Sequence, residues 1–258
     1  MKKKTVLILV LALLLVTMPL RVLASDRTPY NWFVQNNDNH TPPVLHSSLA
    51  FAEKYQFYYL DKTVSDSDKV IYLTFDAGYE NGNVVKVLDA LDKHGVKGTF
   101  FVLENLICRE PALVKRMAEE GHAVCNHTAT HPDMSAITDI GLFQKQLTRL
   151  EKAYTELTGK EMMKVYRPPQ GRFSEENLAF ADQLGYKTLF WSFAYADWDN
   201  AKQPDPARAL EKILSHLHNG EVMLLHPTSA TNAAIMDALL TEIEKQGYRI
   251  ASIEELWA

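Results

Sequence analysis

The chain has 258 residues, 47% of them hydrophobic, a globular composition long enough for one large domain or two small ones. Its net charge of −5 mixes both signs, and no basic run occurs beyond the N-terminus, which argues against a nucleic-acid partner. With only two cysteines, Cys108 and Cys125, a disulfide-rich scaffold is excluded; the two either pair with each other or stay as free thiols.

The chain opens with "MKKK", an apolar run from Thr5 to Leu20, and "RVLAS". A basic start, an apolar core and small residues at Val22 and Ala24 make a secretory signal over 1–24, with cleavage expected after Ala24. The apolar run is short for a membrane span, and an uncleaved anchor is the alternative. Either way the protein is expected outside the cytoplasmic membrane, touching the membrane only through such an anchor. Residues 25–66 read as an aromatic N-terminal extension packing on a main domain over 67–258.

From Lys69 a regular alternation begins. "KVIYLTF" is a β-branched and aromatic strand; "NVVKVLDALDKHG" has helical spacing and a glycine stop at Gly95. "KGTFFVL" is a second strand, and "PALVKRMAEEG" a helix with Pro111 in its first turn. "HAVCN" is a third strand, followed by the long amphipathic helix of "DIGLFQKQLTRLEKAYTELTG". "KVYRPPQG" is a fourth strand, then a helix capped by Ser174. "YKTLFWSF", "EVMLLH" and "YRIASI" are strands separated by helices beginning near Asp205 and Asn232. Seven such repeats predict an α/β fold, a distorted (β/α) barrel of about seven parallel strands; an open doubly wound sheet is the alternative.

In such folds chemistry sits at the C-terminal ends of the strands. The first strand delivers Asp76 there, and the third runs into "NHTATHPDM" with His127 and His131. The fourth gives Arg167, the segment after the fifth gives Asp197 and Trp198, and the sixth ends at His226. A His-x-x-x-His pair alone is more often two solvated loop histidines. Beside a carboxylate and a third histidine it points to a divalent metal. The same set suits metal-assisted hydrolysis, with Asp76 as base and His226 as acid. Arg167 would keep Asp76 ionised, and Asp197 would orient His226 and favour its imidazolium.

These residues resemble the motifs of the polysaccharide deacetylases of the NodB-homology type, carbohydrate esterase family 4. "TFDAG" is similar to T-F-D-D-G, "HTATH" to the metal motif, "RPPQG" to R-x-P, and "DW" and "LLH" to the last two motifs. The resemblance spans about Lys69 to Leu256 and implies a seven-strand distorted barrel. It implies His127 and His131 as metal ligands, Asp76 as base paired with Arg167, and His226 as acid supported by Asp197. Zinc is the default ion, with manganese, cobalt or magnesium open. The departure is Ala77, where the family carries a second, metal-binding aspartate. Metal is therefore expected to be held by two histidines with water or substrate; Cys125 is a remote substitute. Within the family, "GYENG", "RPPQGRF" and "FWSFA" resemble the delta-lactam-biosynthetic de-N-acetylases of spore-forming bacteria. That implies N-acetylmuramic acid of peptidoglycan as substrate and a role in making spore cortex. N-Acetylglucosamine polymers and a non-catalytic glycan-binding role are the alternatives. A glycan partner implies aromatic contacts, assigned to Tyr79, Phe173 and Trp198, with Trp191 in the core and room for a lactyl group near Ala77. A monomer is expected.

Overall fold

A computed structural model describes residues 26–258 except 36, 38 and 66; the signal segment lies outside the described residues. In chain order the elements are β1 (Tyr30–Asn31), β2 (Phe57–Tyr58), β3 (Val70–Ala77), α1 (Val84–Lys93), β4 (Thr99–Val102), α2 (Glu104–Arg109), α3 (Pro111–Glu119) and β5 (Ala123–Asn126). They continue with α4 (Ile140–Thr158), β6 (Met163–Tyr166), β7 (Arg172–Phe173), α5 (Glu175–Gln183), β8 (Lys187–Leu189), α6 (Pro206–His216), β9 (Glu221–Leu225), α7 (Ala230–Lys245) and β10 (Arg249–Ile250).

The strands are apolar on both faces because both faces are covered, as parallel sheets require. Along β3, Ile71, Leu73, Phe75 and Ala77 face the helices and join the largest apolar cluster. Val70 and Tyr72 point the other way, into a barrel interior shared with Phe101, Cys125, Val165, Leu189 and Val222. Helix α1 buries Val84, Val87, Leu88 and Leu91, one face at helical spacing, against that same large cluster. Caps set the helix ends. Asp139 accepts from Leu142 N to start α4, and left-handed Gly159 ends it. Ser174 caps α5 in a reciprocal box whose partner is Asn177.

The main sheet runs β10-β3-β4-β5-β6-β8-β2, with β9 on the other side of β3. Every pairing in it is parallel. From β3 to β8 the order follows the chain with no reversal, and β9 returns to β3, which rules out the doubly wound alternative. Past the end of β8 the chain bridges to β9 at Phe193 and Met223, so the sheet curls back on itself. The result is a distorted α/β barrel. All seven strands read from the sequence form; β2 joins them from the N-terminal segment, beside β8. That segment also lays β1 antiparallel on β7. Its Trp32, Leu49, Ala52 and Tyr59 pack with Phe173, Leu178 and Phe190 in a separate apolar cluster. Among the described residues no helix is long and apolar enough to cross a membrane.

Candidate active site

The C-terminal ends of the strands open on a cleft of ≈ 780 Å³. Asp76, His127, His131 and His226 all line it, with Tyr79, Trp191 and Trp198 among its walls.

Asp76 is the penultimate residue of β3, and strand alternation turns it inward while Ala77 turns out. Its Oδ1 accepts from Arg167 NH1 at 2.8 Å. Arg167 is wholly buried and uses four of its five donors: besides the bond to Asp76, NH2 donates to Thr74 Oγ1 at 2.9 Å and Phe190 O at 3.1 Å, and Nε to Leu189 O at 3.2 Å. The guanidinium also lies 4.1 Å from the centre of the Phe101 ring. Burial pushes the Asp76 pKa up, but His127, Arg167 and His226 together outweigh it and leave it below the ordinary carboxylate value. Asp76 is therefore an ionised carboxylate with one oxygen tied and the other, Oδ2, turned toward His127 Nε2 at 3.6 Å.

His127 follows β5. Its Nδ1 lies 2.9 Å from Arg167 O, and a carbonyl can only accept, so Nδ1 carries the proton and Nε2 keeps its lone pair. Burial drives its pKa down to about 4 despite Asp76, so the ring is neutral at pH 7. His131 is likewise lowered, first by burial. The two rings stand 5.0 Å apart at 68°. No helical turn joins them: Thr128 (φ 73°) and His131 (φ 58°) are both left-handed. Asn126 Oδ1 accepts from Thr128 N at 2.9 Å and Thr128 Oγ1 from His131 N at 3.0 Å, holding this tight, unusual loop.

On the other side Asp197 and His226 form a second unit. His226 Nδ1 donates to Asp197 Oδ1 at 2.7 Å, and His226 N to Oδ2 at 2.8 Å. With Nδ1 so occupied, Nε2 is left to the cleft. Burial lowers the His226 pKa, but the hydrogen bond and charge of Asp197, with the charge of Asp76, raise it above the usual histidine value. The sequence reading missed Asn232, fully buried at the start of α7. Its Nδ2 donates to Asp197 Oδ2 at 2.6 Å and His226 O at 3.0 Å, and its Oδ1 accepts from Tyr195 OH. No local pattern marks it; only the helix start after "LLHP" places it beside the histidine.

Three expectations for the walls change. Phe173 is fully buried in the N-terminal cluster, 4.9 Å from the Phe190 ring, and is not a contact. Trp191, assigned to the core, is a wall of the cleft. Ala77 has no exposure and sits in the helix-side apolar cluster, so it leaves no space for a lactyl group. Tyr79 and Trp198 are where they were expected, 45% and 60% exposed at the rim. Asn200 Nδ2 donates to Tyr79 OH at 2.6 Å, and Trp198 meets the His226 ring edge-on at 6.2 Å. Cys108 is exposed and Cys125 buried, both free; Cys125 lies in the barrel interior.

Two neutral imidazoles, one with its lone pair oriented by a backbone carbonyl, are a donor set that fits a divalent cation with its other positions left to water or substrate. Among the described residues no cluster of three or more His, Cys, Asp or Glu forms a larger ligand set.

The family model for polysaccharide deacetylases matches residues 63–189. The peptidoglycan-N-acetylmuramic acid deacetylase PdaA of Bacillus subtilis is 41% identical over 234 residues, covering 90% of this chain and 88% of the relative. The chain belongs to the polysaccharide deacetylase family, carbohydrate esterase family 4. It is a polysaccharide deacetylase, a hydrolase of the N-acetyl amide bond. The solved structure of Bacillus subtilis PdaA superposes with a TM-score of 0.85 at 40% identity, over 90% of this chain and 97% of that one. The peptidoglycan-N-acetylglucosamine deacetylase PgdA of Listeria monocytogenes is 34% identical over 191 residues, 74% of this chain but only 39% of the relative.

Proposed function

We propose that the chain removes the acetyl group from N-acetylmuramic acid in peptidoglycan glycan strands, a step toward the muramic δ-lactam of spore cortex. The observation that carries the chemistry is the pairing across one cleft of Asp76, ionised with a free oxygen, and His226, tied at Nδ1 to Asp197, which raises its pKa. The similarity to PdaA over nearly the whole of both chains supports the sugar. Residues 1–24 direct export in this reading, 25–66 are an extension and 67–258 carry catalysis, in a monomer working in the cell envelope.

Asp76 Oδ2 takes a proton from water as the water oxygen bonds to the amide carbonyl carbon. The C–N bond then breaks, and His226 Nε2 gives its proton to the departing sugar nitrogen. Acetate and a free amine result. Arg167 keeps Asp76 charged and aimed, and Asp197 favours the protonated form of His226. A divalent cation on His127 Nε2 and His131, zinc first and manganese, cobalt or magnesium otherwise, would polarise the carbonyl and acidify water. With alanine at position 77, its affinity is expected to be lower than at a three-ligand site.

The test is acetate release from peptide-free glycan strands with and without added zinc, with mass spectrometry identifying the sugar that lost its acetyl group. Loss from glucosamine alone would favour the reading suggested by the similarity to PgdA. Binding without release would make the protein a glycan-binding module. The metal is checked separately: added zinc should raise the melting temperature of the chain but not of His127→Ala.

A further inference from the structure

One wall of the cleft is backed by the far N-terminus of the described chain. Gln170, Gly171 and Trp191 line the cleft. Behind them stands Trp32, 5% exposed. Its backbone N donates to Gly171 O at 2.8 Å, and its indole Nε1 to Trp191 O at 3.0 Å. Its ring packs on Phe190 at 4.8 Å and on Tyr59 at 5.2 Å. One residue, through its backbone and its side chain, thus ties together two loops whose residues are 139 and 159 positions further along the chain.

Gly171 shows how close the fit is. It is left-handed at φ +64°, and a Cβ there would lie 2.8 Å from Trp191 Cη2 and 3.1 Å from Trp32 Cβ. The Trp191 ring lies flush on a glycine backbone, with Gln170, itself left-handed at φ 59°, beside it. A flat indole against a hydrogen-bonding amide is the kind of surface that receives a sugar ring. It shares the cleft with Asp76 and the histidines, the Trp191 ring lying 5.8 Å from the Arg167 guanidinium carbon, so a glycan extending beyond the reacting sugar would run across it.

We infer that Trp32 is a positioning residue for a glycan subsite formed by Trp191, Gln170 and Gly171. The N-terminal strap sets how tightly a longer glycan is held and leaves the chemical step alone. This rests on the reading of the cleft as a glycan site, and the test separates the two.

Affinity is measured by calorimetry in an Asp76→Asn background, which stops turnover, using peptide-free glycan fragments of two and six sugars. Acetate release is measured in parallel in the otherwise native chain. Trp32→Phe keeps most of the ring packing and removes the Nε1 bond. It should weaken binding of the six-sugar fragment about five- to tenfold and raise KM in step, with kcat and two-sugar binding unchanged. Gly171→Ala presses on Trp191 from the other side and should shift affinity the same way. Val87→Ala, buried in α1 far from the strap, controls for general destabilisation and should lower melting temperature without weakening binding. Native-like six-sugar binding by Trp32→Phe overturns the inference. So does an equal loss in Val87→Ala, or no six-sugar binding by the parent chain. Trp32-dependent binding with no acetate release from any glycan would sink the deacetylase reading and leave the subsite standing.

Discussion

Asp76 and Asp197 are both carboxylates sunk at the mouth of the barrel, one beside Arg167 and the other beside His226, yet they are wired differently. Asp76 has one oxygen on Arg167, a partner that never loses its proton, and one oxygen facing the cleft. Both oxygens of Asp197 are taken, by His226 Nδ1, His226 N and Asn232 Nδ2. A carboxylate with a free oxygen can accept a proton from a reacting molecule. One with none can only orient and polarise its neighbour. Partner count thus separates the base from the group that tunes the acid, although the two residues are of one type.

The hardest way to break this contrast is Arg167→Met. It leaves Asp76 buried and unpaired, at a cost of about 3–5 kcal/mol in stability, with activity lost as well. Denaturant unfolding and acetate release should both collapse. Arg167→Lys should not rescue, since one ammonium cannot serve Asp76, Thr74 and two carbonyls at once. Next is Asp76→Asn, expected to lower kcat by about 10²–10⁴-fold while circular dichroism stays native. Retained turnover would remove Asp76 from the role of base.

Asp197→Asn sharpens the contrast through pH. The native pair raises the His226 pKa, so the acid form survives to higher pH and activity falls as pH climbs through that raised value. With asparagine at 197 the alkaline limb should move to lower pH, with roughly a hundredfold loss at neutral pH that shrinks on acidification. A uniform loss at every pH would mean that Asp197 only holds the fold. The stability linked to His226 has the same sign: it is full below the unfolded pKa, roughly 6.5, and is lost as pH rises through the folded one. Asp76 behaves oppositely, its share persisting until pH falls through a value below the ordinary one. The smallest effect is expected away from both carboxylates. Ser174→Ala breaks the α5 capping box and should cost about 1 kcal/mol in thermal unfolding, with kcat unaltered.

The polar site was legible because each member ends or follows a strand whose apolar run is unmistakable, and strand ends of a parallel barrel converge. Asn232 was not, because its partners come from another loop. Phe173 and Trp191 were exchanged for a local reason: left-handed Gln170 and Gly171 reverse the chain just before β7, so parity could not be carried across the turn. Ala77 is different. Neighbours on a strand face opposite ways, so an inward Asp76 already placed Ala77 outside the cleft. Helix α2, six residues long, and the two-residue strands β1 and β2 are too short to show a period. The partners of the latter two lie more than a hundred residues away.

Trp32 also has a consequence in time. A chain grows from its N-terminus, and Trp191 follows Trp32 by 159 residues. At about 5–20 residues per second, the strap waits roughly 8–30 s for its partner to be made. Through that interval "PYNWF" has only the aromatic segment just behind it to pack on, since Phe173, Leu178 and Phe190 of the same cluster are still to come. The subsite wall joins the two ends of that interval and cannot close before Trp191 has been made.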